Sequence, residues 1–314
     1  MSPRPAAPKG ARTAAEGEGR PTGTARLSRI LDEQEAAAWV EDGMVVAIGT
    51  PPPMGLIRQL IRRRVRNLTI VDGGLSLDLL IAAGCVRRSV TYYAGGGFGV
   101  AVAPSFRRAV ETGEVVVFDC DEGILMAGLQ AAAQRLPFMP WRGGVGTSLP
   151  QVNPELKLFN DPISGQTLLA VPPIKPDVTL LHATAADAYG NVQHTGGAGW
   201  LDLALFRAAD RSVVQVERIV PNEEIRANPQ ATTLALADAI VFAPYGAHPF
   251  ASRGSYVQDQ DHLRSYLDAA MKAATNNDAS DLNRYLERYC QLPLTLGDYL
   301  EQVGIKQLLR LQEY

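Results

Sequence analysis

Short apolar runs recur along this chain, and each stops at a glycine or an acid. Met44–Ile48 (MVVAI) stops at Gly49, Leu68–Val71 (LTIV) at Asp72-Gly73-Gly74, and Val115–Phe118 (VVVF) at Asp119. Val90–Tyr93 passes through Ala94 into Gly95-Gly96-Gly97. Runs this short and this apolar suit strands buried on both faces. Between them lie segments of helical spacing: Met54–Arg64, Leu75–Ala83, Ser105–Glu111 and Gly123–Gln134,. Strand, loop and helix repeated in that order specify an α/β fold, an open parallel sheet with helices on both faces.

The second half repeats the pattern. Val178–Leu181 (VTLL) precedes His182, Val213–Val216 (VVQV) precedes Glu217, and Ala239–Phe242 (AIVF) precedes Pro244-Tyr245-Gly246. Ser28–Val40 reads as a helix, and His182–Asn191 (HATAADAYGN) as a loop with a turn at Gly190-Asn191,. No linker divides residues 26–260, which read as one α/β domain. Residues 261–314 read as a helical C-terminal extension with Tyr285, Leu286, Tyr289, Leu300, Leu308 and Leu309 as packing residues. Residues 1–25 have almost no large apolar side chain and read as a disordered tail,. The tail has no apolar core of the kind a secretory signal needs,.

Charge and cysteine usage exclude several classes. In 314 residues, 30 Lys and Arg oppose 33 Asp and Glu, a formal charge of −3, without the basic stripe of a nucleic-acid binder,. The Arg62–Arg66 run sits on a helix and reads as a solvated face,. No apolar run approaches the roughly 18–20 residues of a membrane span. Cys85, Cys120 and Cys290 are too scattered for a disulfide framework or a zinc site, so a reducing cytoplasm is expected,. The four histidines form no HExxH or HxH pair, so no metal is expected,. Neither a Walker A loop nor a dinucleotide-binding fingerprint is present,.

Ligands in parallel sheets bind outside the carboxyl ends of the strands. Here those ends carry Gly49, Gly73-Gly74, Gly95–Gly97 and Asp119, followed by the acidic pair Asp121-Glu122. Glycine there lets backbone N–H groups approach an anion. Glu122 opens a helix, where the ionised form is favoured, so it is a candidate base or nucleophile as well as a simple helix charge. His182 is a candidate base or a hydrogen-bonded structural histidine. Glu217 is a candidate site acid or a buried acid paired to Arg218 or Arg253. Cys120 lies among aspartates, a field that raises a thiol pKa, and is not read as a nucleophile,.

The run DGMVVAIG (42–49) resembles the amino-terminal signature of family I coenzyme A transferases. PPPMGLIRQLI, NLTIVDGG, SFRRAVETGEV, GLQAAAQRLPFMPWRGGVGTSL, KPDVTLLHATAADAYGN, VVQVERIV and APYGAHP resemble, in order, the A (alpha) subunit of the glutaconate CoA-transferase branch. The resemblance covers Leu27 to about Asp261. It implies a B-subunit partner in an α2β2 assembly, with a coenzyme A thioester as substrate and no other cofactor. It also implies covalent chemistry on a glutamate that the B subunit carries in a Ser-Glu-Asn-Gly-like motif, which this chain lacks. The family signature continues Gly-Gly-Phe where this chain has Gly49-Thr50-Pro51, which puts an oxyanion role for this loop in doubt.

DCDEGILMAGLQAAAQRLPFMP resembles the A subunit of actinobacterial ring-opening hydrolases of steroid degradation, and Glu122 matches the acid/base of their Asp-Glu-Gly motif. Three readings follow: CoA transfer between carboxylic acids, carbon–carbon hydrolysis of an acyl-CoA using Glu122, and a non-catalytic acyl-CoA-binding or scaffold subunit. Transfer is the first reading. The expected site is Glu122 as the catalytic residue. Gly49, Gly73, Gly74, Ser76, Gly95, Gly96, Gly97, Arg142, Gly143, Gly144, Gly146 and Gln193 are expected to bind substrate. Arg107, Arg108, Arg142 and Gln193 are the side chains that would suit an acyl carboxylate or ring oxygen.

Overall fold

The computed structural model describes residues 27–312. The tail assigned to residues 1–25 lies outside them. The described chain begins with β1 (Ile30–Leu31), α1 (Glu33–Ala37), β2 (Val45–Ile48), α2 (Met54–Arg62) and β3 (Leu68–Asp72). It continues through α3 (Gly74–Ala82), β4 (Val86–Thr91), α4 (Pro104–Glu111), β5 (Val116–Asp119) and α5 (Glu122–Gln134). An inserted unit follows: β6 (Met139–Trp141), α6 (Leu149–Val152), β7 (Lys157–Asn160) and β8 (Thr167–Val171). Then come β9 (Val178–Ala186), β10 (Val192–Gln193), α7 (Asp202–Ala208), β11 (Arg211–Ile219), α8 (Asn222–Ala227), β12 (Thr232–Leu234) and β13 (Ala239–Phe242). Helices α9 (Gln260–Asn276), α10 (Ser280–Leu286), α11 (Leu296–Val303) and α12 (Ile305–Arg310) close the chain.

The main sheet runs β1-β13-β11-β9-β2-β3-β4-β5, all parallel, with β10 and β12 attached antiparallel beside β9. Alternate residues face opposite layers, as the period of a strand requires. Val46, Ile48, Ile70, Leu180 and Val213 join the core under α1 to α4 and α9 to α10. Ala47, Val71, Leu181, Val214 and Val216 join the core under α5, α7 and β8. This two-sided burial is why these strands are apolar throughout. Among the described residues no helix is long and apolar enough to cross a membrane.

Three sequence expectations are corrected. Ser28–Val40 is not one helix, because Ile30-Leu31 pairs in parallel with Ile240-Val241 and Asp32 then caps α1. His182–Asn191 is not a loop throughout, because β9 continues to Ala186 with all nine of its residues buried. Only Asp187 onward turns, with Asp187 Oδ1 accepting the N–H groups of Tyr189 and Asn191. The antiparallel sheet β6-β8-β7 is an addition to the expected architecture. On α2 and just beyond it, the exposed arginines Arg63, Arg64 and Arg66 are solvated as expected, whereas Arg58 is buried with its guanidinium 3.5 Å over the Tyr299 ring.

Candidate active site

The chain fans outward from β2 through β3 and β4 to β5, then returns to the other flank of β2 as β9, β11 and β13. The strand order therefore reverses between β2 and β9, the crevice where open α/β sheets place ligands. A cavity of about 500 Å³ opens there. Its walls include Thr50, Pro51, Pro52, His182, Thr184, His194, Trp200, Phe250, Ser252, Arg253 and Gln258. Trp200 packs edge-on against Tyr92, just past β4, with ring centres 5.6 Å apart.

His182 lies in the middle of β9 and faces Glu217 of β11. Its Nε2 is 2.9 Å from Glu217 Oε1 and 3.0 Å from Ser252 Oγ. The ring tautomer follows from its neighbours. Leu56 N–H donates to Gln215 Oε1 (3.2 Å), so the Gln215 amide N–H is turned to His182 Nδ1 (3.0 Å). Nδ1 is thus the acceptor, and Nε2 carries the proton toward Glu217. Glu217 also accepts from the Tyr256 hydroxyl (2.8 Å) and the Tyr245 N–H (2.7 Å). Burial and the Glu217 charge hold the Tyr256 phenol well above its ordinary range. Ser252, His182 and Glu217 are in contact, but no nitrogen of His182 is free to take the serine proton. The group is not a nucleophile–base pair. Nor is Glu217 paired to Arg218 or Arg253. Its partners are a histidine, two tyrosines and no cation.

Two further carboxyls lie at the crevice. Burial raises Asp72, at the end of β3, to about 6, and the nearby charge of Asp202 adds to the shift. Burial raises Asp202 to about 6 against the opposing pull of its hydrogen bonds from Thr50 N–H (3.1 Å) and Gly199 N–H (2.9 Å). Burial drops His194 to about 4, so its imidazole is neutral and Nε2–H donates to the His182 carbonyl at 3.2 Å.

Asp202 explains Gly49. A Cβ on Gly49 would lie 2.7 Å from Asp202 Oδ1 and 2.5 Å from Leu181 Cδ2. Gly49→Ala should therefore destabilise the fold by about 1–3 kcal/mol through overpacking, seen as a lower urea midpoint with an unchanged slope. The Gly49 N–H is bonded to the Leu180 carbonyl (2.9 Å) and the Thr50 N–H to Asp202. Both amides of the Gly49-Thr50-Pro51 departure are therefore committed within the chain.

Asp72, Gly73 and Gly74 form an elbow with φ of 62°, 108° and 50°, leading into α3. Ser76 is buried in the first turn of α3, with its hydroxyl on the Gly73 carbonyl at 2.5 Å. Gly95–Gly97 follow β4, with Gly95 tight against the Tyr93 ring. Glu122 is the first residue of α5, exposed past the end of β5, while Asp121 caps the helix by accepting Ile124 N–H (2.7 Å). The Tyr92 phenol feels both Asp72 and Glu122, and burial first, then these charges, raise it. The sheet thus brings Gly49, Gly73, Gly74, Gly95–Gly97 and Glu122 to one edge.

Arg142, Gly143, Gly144 and Gly146 lie in the loop after β6, where Gly143 meets the Trp141 indole. Gln193 donates to the carbonyls of Asn228 (2.9 Å) and Ile225 (3.4 Å). Arg108 is ion-paired to Glu114 at 2.9 Å. Burial pushes the Cys120 thiol up to about 12, reinforced by Asp121 and Asp119, as its position among acids implied.

Away from this edge, His248, Asp259 and His262 bring ligand atoms within 4.8 Å of one another. Both ring nitrogens of His248 are engaged, by the Tyr299 hydroxyl (2.7 Å) and Asp259 (3.1 Å), and His262 Nε2 meets the Tyr285 hydroxyl (2.9 Å). With Arg58 alongside, this cluster fastens the C-terminal helices onto the domain.

An open parallel sheet with its glycines, acids and main cavity on the carboxyl edge is the frame of an α/β enzyme. Among the described residues the edge holds no activated nucleophile of its own. The chain belongs to the coenzyme A transferase family, whose model, described as Coenzyme A transferase, matches residues 31–243. It is 37% identical over 256 residues to the IpdA subunit of the cholesterol ring-cleaving hydrolase of Mycobacterium tuberculosis, covering 75% of this chain and 86% of that one. It is 35% identical over 282 residues to an uncharacterised protein of Archaeoglobus fulgidus, covering 87% of this chain but only 61% of that protein's length. The crystal structure of glutaconate coenzyme A-transferase from Acidaminococcus fermentans matches with a TM-score of 0.83 and 26% identity, covering 91% of this chain and 96% of that one. The Mycobacterium and Acidaminococcus relatives are each one of the subunits of a heteromeric enzyme.

Proposed function

We propose that this chain is the A subunit of a cytoplasmic α2β2 enzyme that moves coenzyme A between carboxylic acids. A coenzyme A thioester is the substrate, and no resident cofactor takes part. One observation carries the reading: the crevice is built to hold a ligand, yet its serine, histidine and thiol are all held in unreactive states. The attacking group then comes from the B subunit as a glutamate carboxylate. That carboxylate adds to the thioester carbonyl, the carbon–sulfur bond breaks, and CoA thiolate leaves an acyl-glutamyl anhydride. The thiolate returns to the glutamyl carbonyl and releases the first acid, which leaves a glutamyl-CoA thioester. The second acid's carboxylate attacks that thioester and forms a new anhydride. The thiolate then takes the new acyl group and frees the glutamate. This chain contributes the cavity wall, the first-turn amides of α3, which have no partner inside their helix, and the Tyr92 phenol.

A second reading is favoured by Glu122, which stands exposed at the same edge near Tyr92. There Glu122 acts as the acid/base of an acyl-CoA ring-opening hydrolase, and water replaces the acceptor acid. The test is native mass of the assembly purified through a tag on this chain, followed by Glu122→Gln in the complex. A B chain with a nucleophilic glutamate, and CoA exchange that survives Glu122→Gln, supports transfer. Turnover without any acceptor acid, lost in Glu122→Gln, supports hydrolysis. A particle made of this chain alone overturns both.

A further inference from the structure

Glu122 begins α5 directly after β5, and a helix start at an exposed sheet edge is free to fray unless something holds it. Two side chains of the inserted antiparallel unit hold this one. The Trp141 indole, at the end of β6, is wedged between Gly123 and Gly143. A Cβ on Gly123 would lie 2.5 Å from Trp141 Cζ2, and one on Gly143 would lie 2.5 Å from Trp141 Nε1. The indole therefore rests directly on the backbone next to Glu122. From the other side, the buried Asn153 amide donates to the carbonyl of Asp119, the last residue of β5, at 2.8 Å. The Asp119–Gly123 corner is gripped at both ends by one unit. That unit is itself fastened to β4 by the Arg88–Glu155 ion pair. The indole Nε1–H is buried and has no acceptor among the described residues, so its plane and volume, rather than a hydrogen bond, make the contact.

We infer that Trp141 is a positioning residue for Glu122, and that the inserted sheet fixes this carboxylate at the mouth of the site. The inference rests on Glu122 being functional, as the second reading above has it. Chemistry is sensitive to such support, since misplacing a group by about 1 Å can cost 10²-fold in rate.

The test uses the complete A–B complex, with hydrogen–deuterium exchange of residues 119–126 as the first readout. Turnover of glutaconyl-CoA, with and without acetate, is the second. Trp141→Ala should speed exchange at the start of α5 while leaving α3 unchanged. It should lower kcat by about 10–100-fold with KM within about twofold. Trp141→Phe, which keeps a flat ring, should restore most of both. Gly143→Ala, which drives a Cβ into the indole without deleting it, should act like Trp141→Ala and serves if that variant does not fold. Unchanged exchange in both Trp141→Ala and Gly143→Ala overturns the inference. So does a Trp141→Phe loss as deep as that of Trp141→Ala, because the effect would then belong to the N–H. Glu122→Gln run in parallel separates the two claims: full activity there removes the role of Glu122, while the exchange result still decides whether Trp141 holds the corner.

Discussion

Glu217→Ala should cost the fold about 3–5 kcal/mol, measured by urea denaturation of the purified chain. The side chain is 7% exposed and receives His182 Nε2–H, the Tyr256 hydroxyl and the Tyr245 N–H. Removing it strands these donors in a dry interior, where each unsatisfied group costs about 1–3 kcal/mol. Losing a buried charge returns part of that, which keeps the total below the simple sum. Glu217→Gln is the informative control. Its carbonyl oxygen still accepts, but its NH₂ meets a donor, so about 1–2 kcal/mol should be lost. The effect should extend to the cavity, because His182 and Ser252 line its wall and Tyr256 lies behind them. A Glu217→Ala protein within about 1 kcal/mol of the native one would mean that the donors find other partners, and the tautomer assigned to His182 would lose its anchor.

That network shows where sequence reading stops. His182 and Glu217 are each visible as polar residues beside apolar runs, but nothing local joins them. They meet because β9 and β11 are neighbours in register, with Gln215 opposite His182. Ser252 and Tyr256 arrive from a loop beyond β13. Sheet order is a property of the packed whole, so Gln215, Ser252 and Tyr256 are not legible as site residues, although a glutamine inside VVQV is a signal. The strands β2, β3, β5 and β13 are legible for the opposite reason: being buried on both faces, they are apolar without interruption. β1 is not, because two residues carry no period. The end of β9 is not, because Ala183–Ala186 are small residues that fit a crowded sheet yet look like a loop. The glycines at the strand ends and Glu122 are legible because a parallel sheet sends every carboxyl end to one edge. Trp141 is not, since its meaning lies in two glycines from different elements.

Removing the Asp72 carboxyl and removing the His194 imidazole should tilt the pH dependence of stability in opposite directions. Burial raises Asp72 from 3.8 to about 6. The folded state therefore holds its proton more tightly than the unfolded chain does. Its contribution is fully present below pH 3.8 and is lost as the pH rises to 6, a change of about 3 kcal/mol across that window,. Burial lowers His194 from 6.5 to about 4. Here the unfolded chain takes the proton first, so the contribution is present above pH 6.5 and is lost as the pH falls to 4, again about 3 kcal/mol,. Between pH 4 and 6 the two groups oppose each other. Asp72→Asn keeps the elbow, because asparagine tolerates the φ of 62° found there,. Relative to the native protein its stability should rise with pH by about 1.4 kcal/mol per unit from about pH 4 to 6. His194→Gln leaves an acceptor for the Thr233 hydroxyl and a donor for the His182 carbonyl. Relative to the native protein its stability should fall as the pH rises from 4 to 6.5. Urea midpoints taken at half-unit steps read both slopes. Parallel profiles for Asp72→Asn and the native protein would show that the Asp72 carboxyl meets solvent at the crevice floor, and that it does not share buried charge with Asp202.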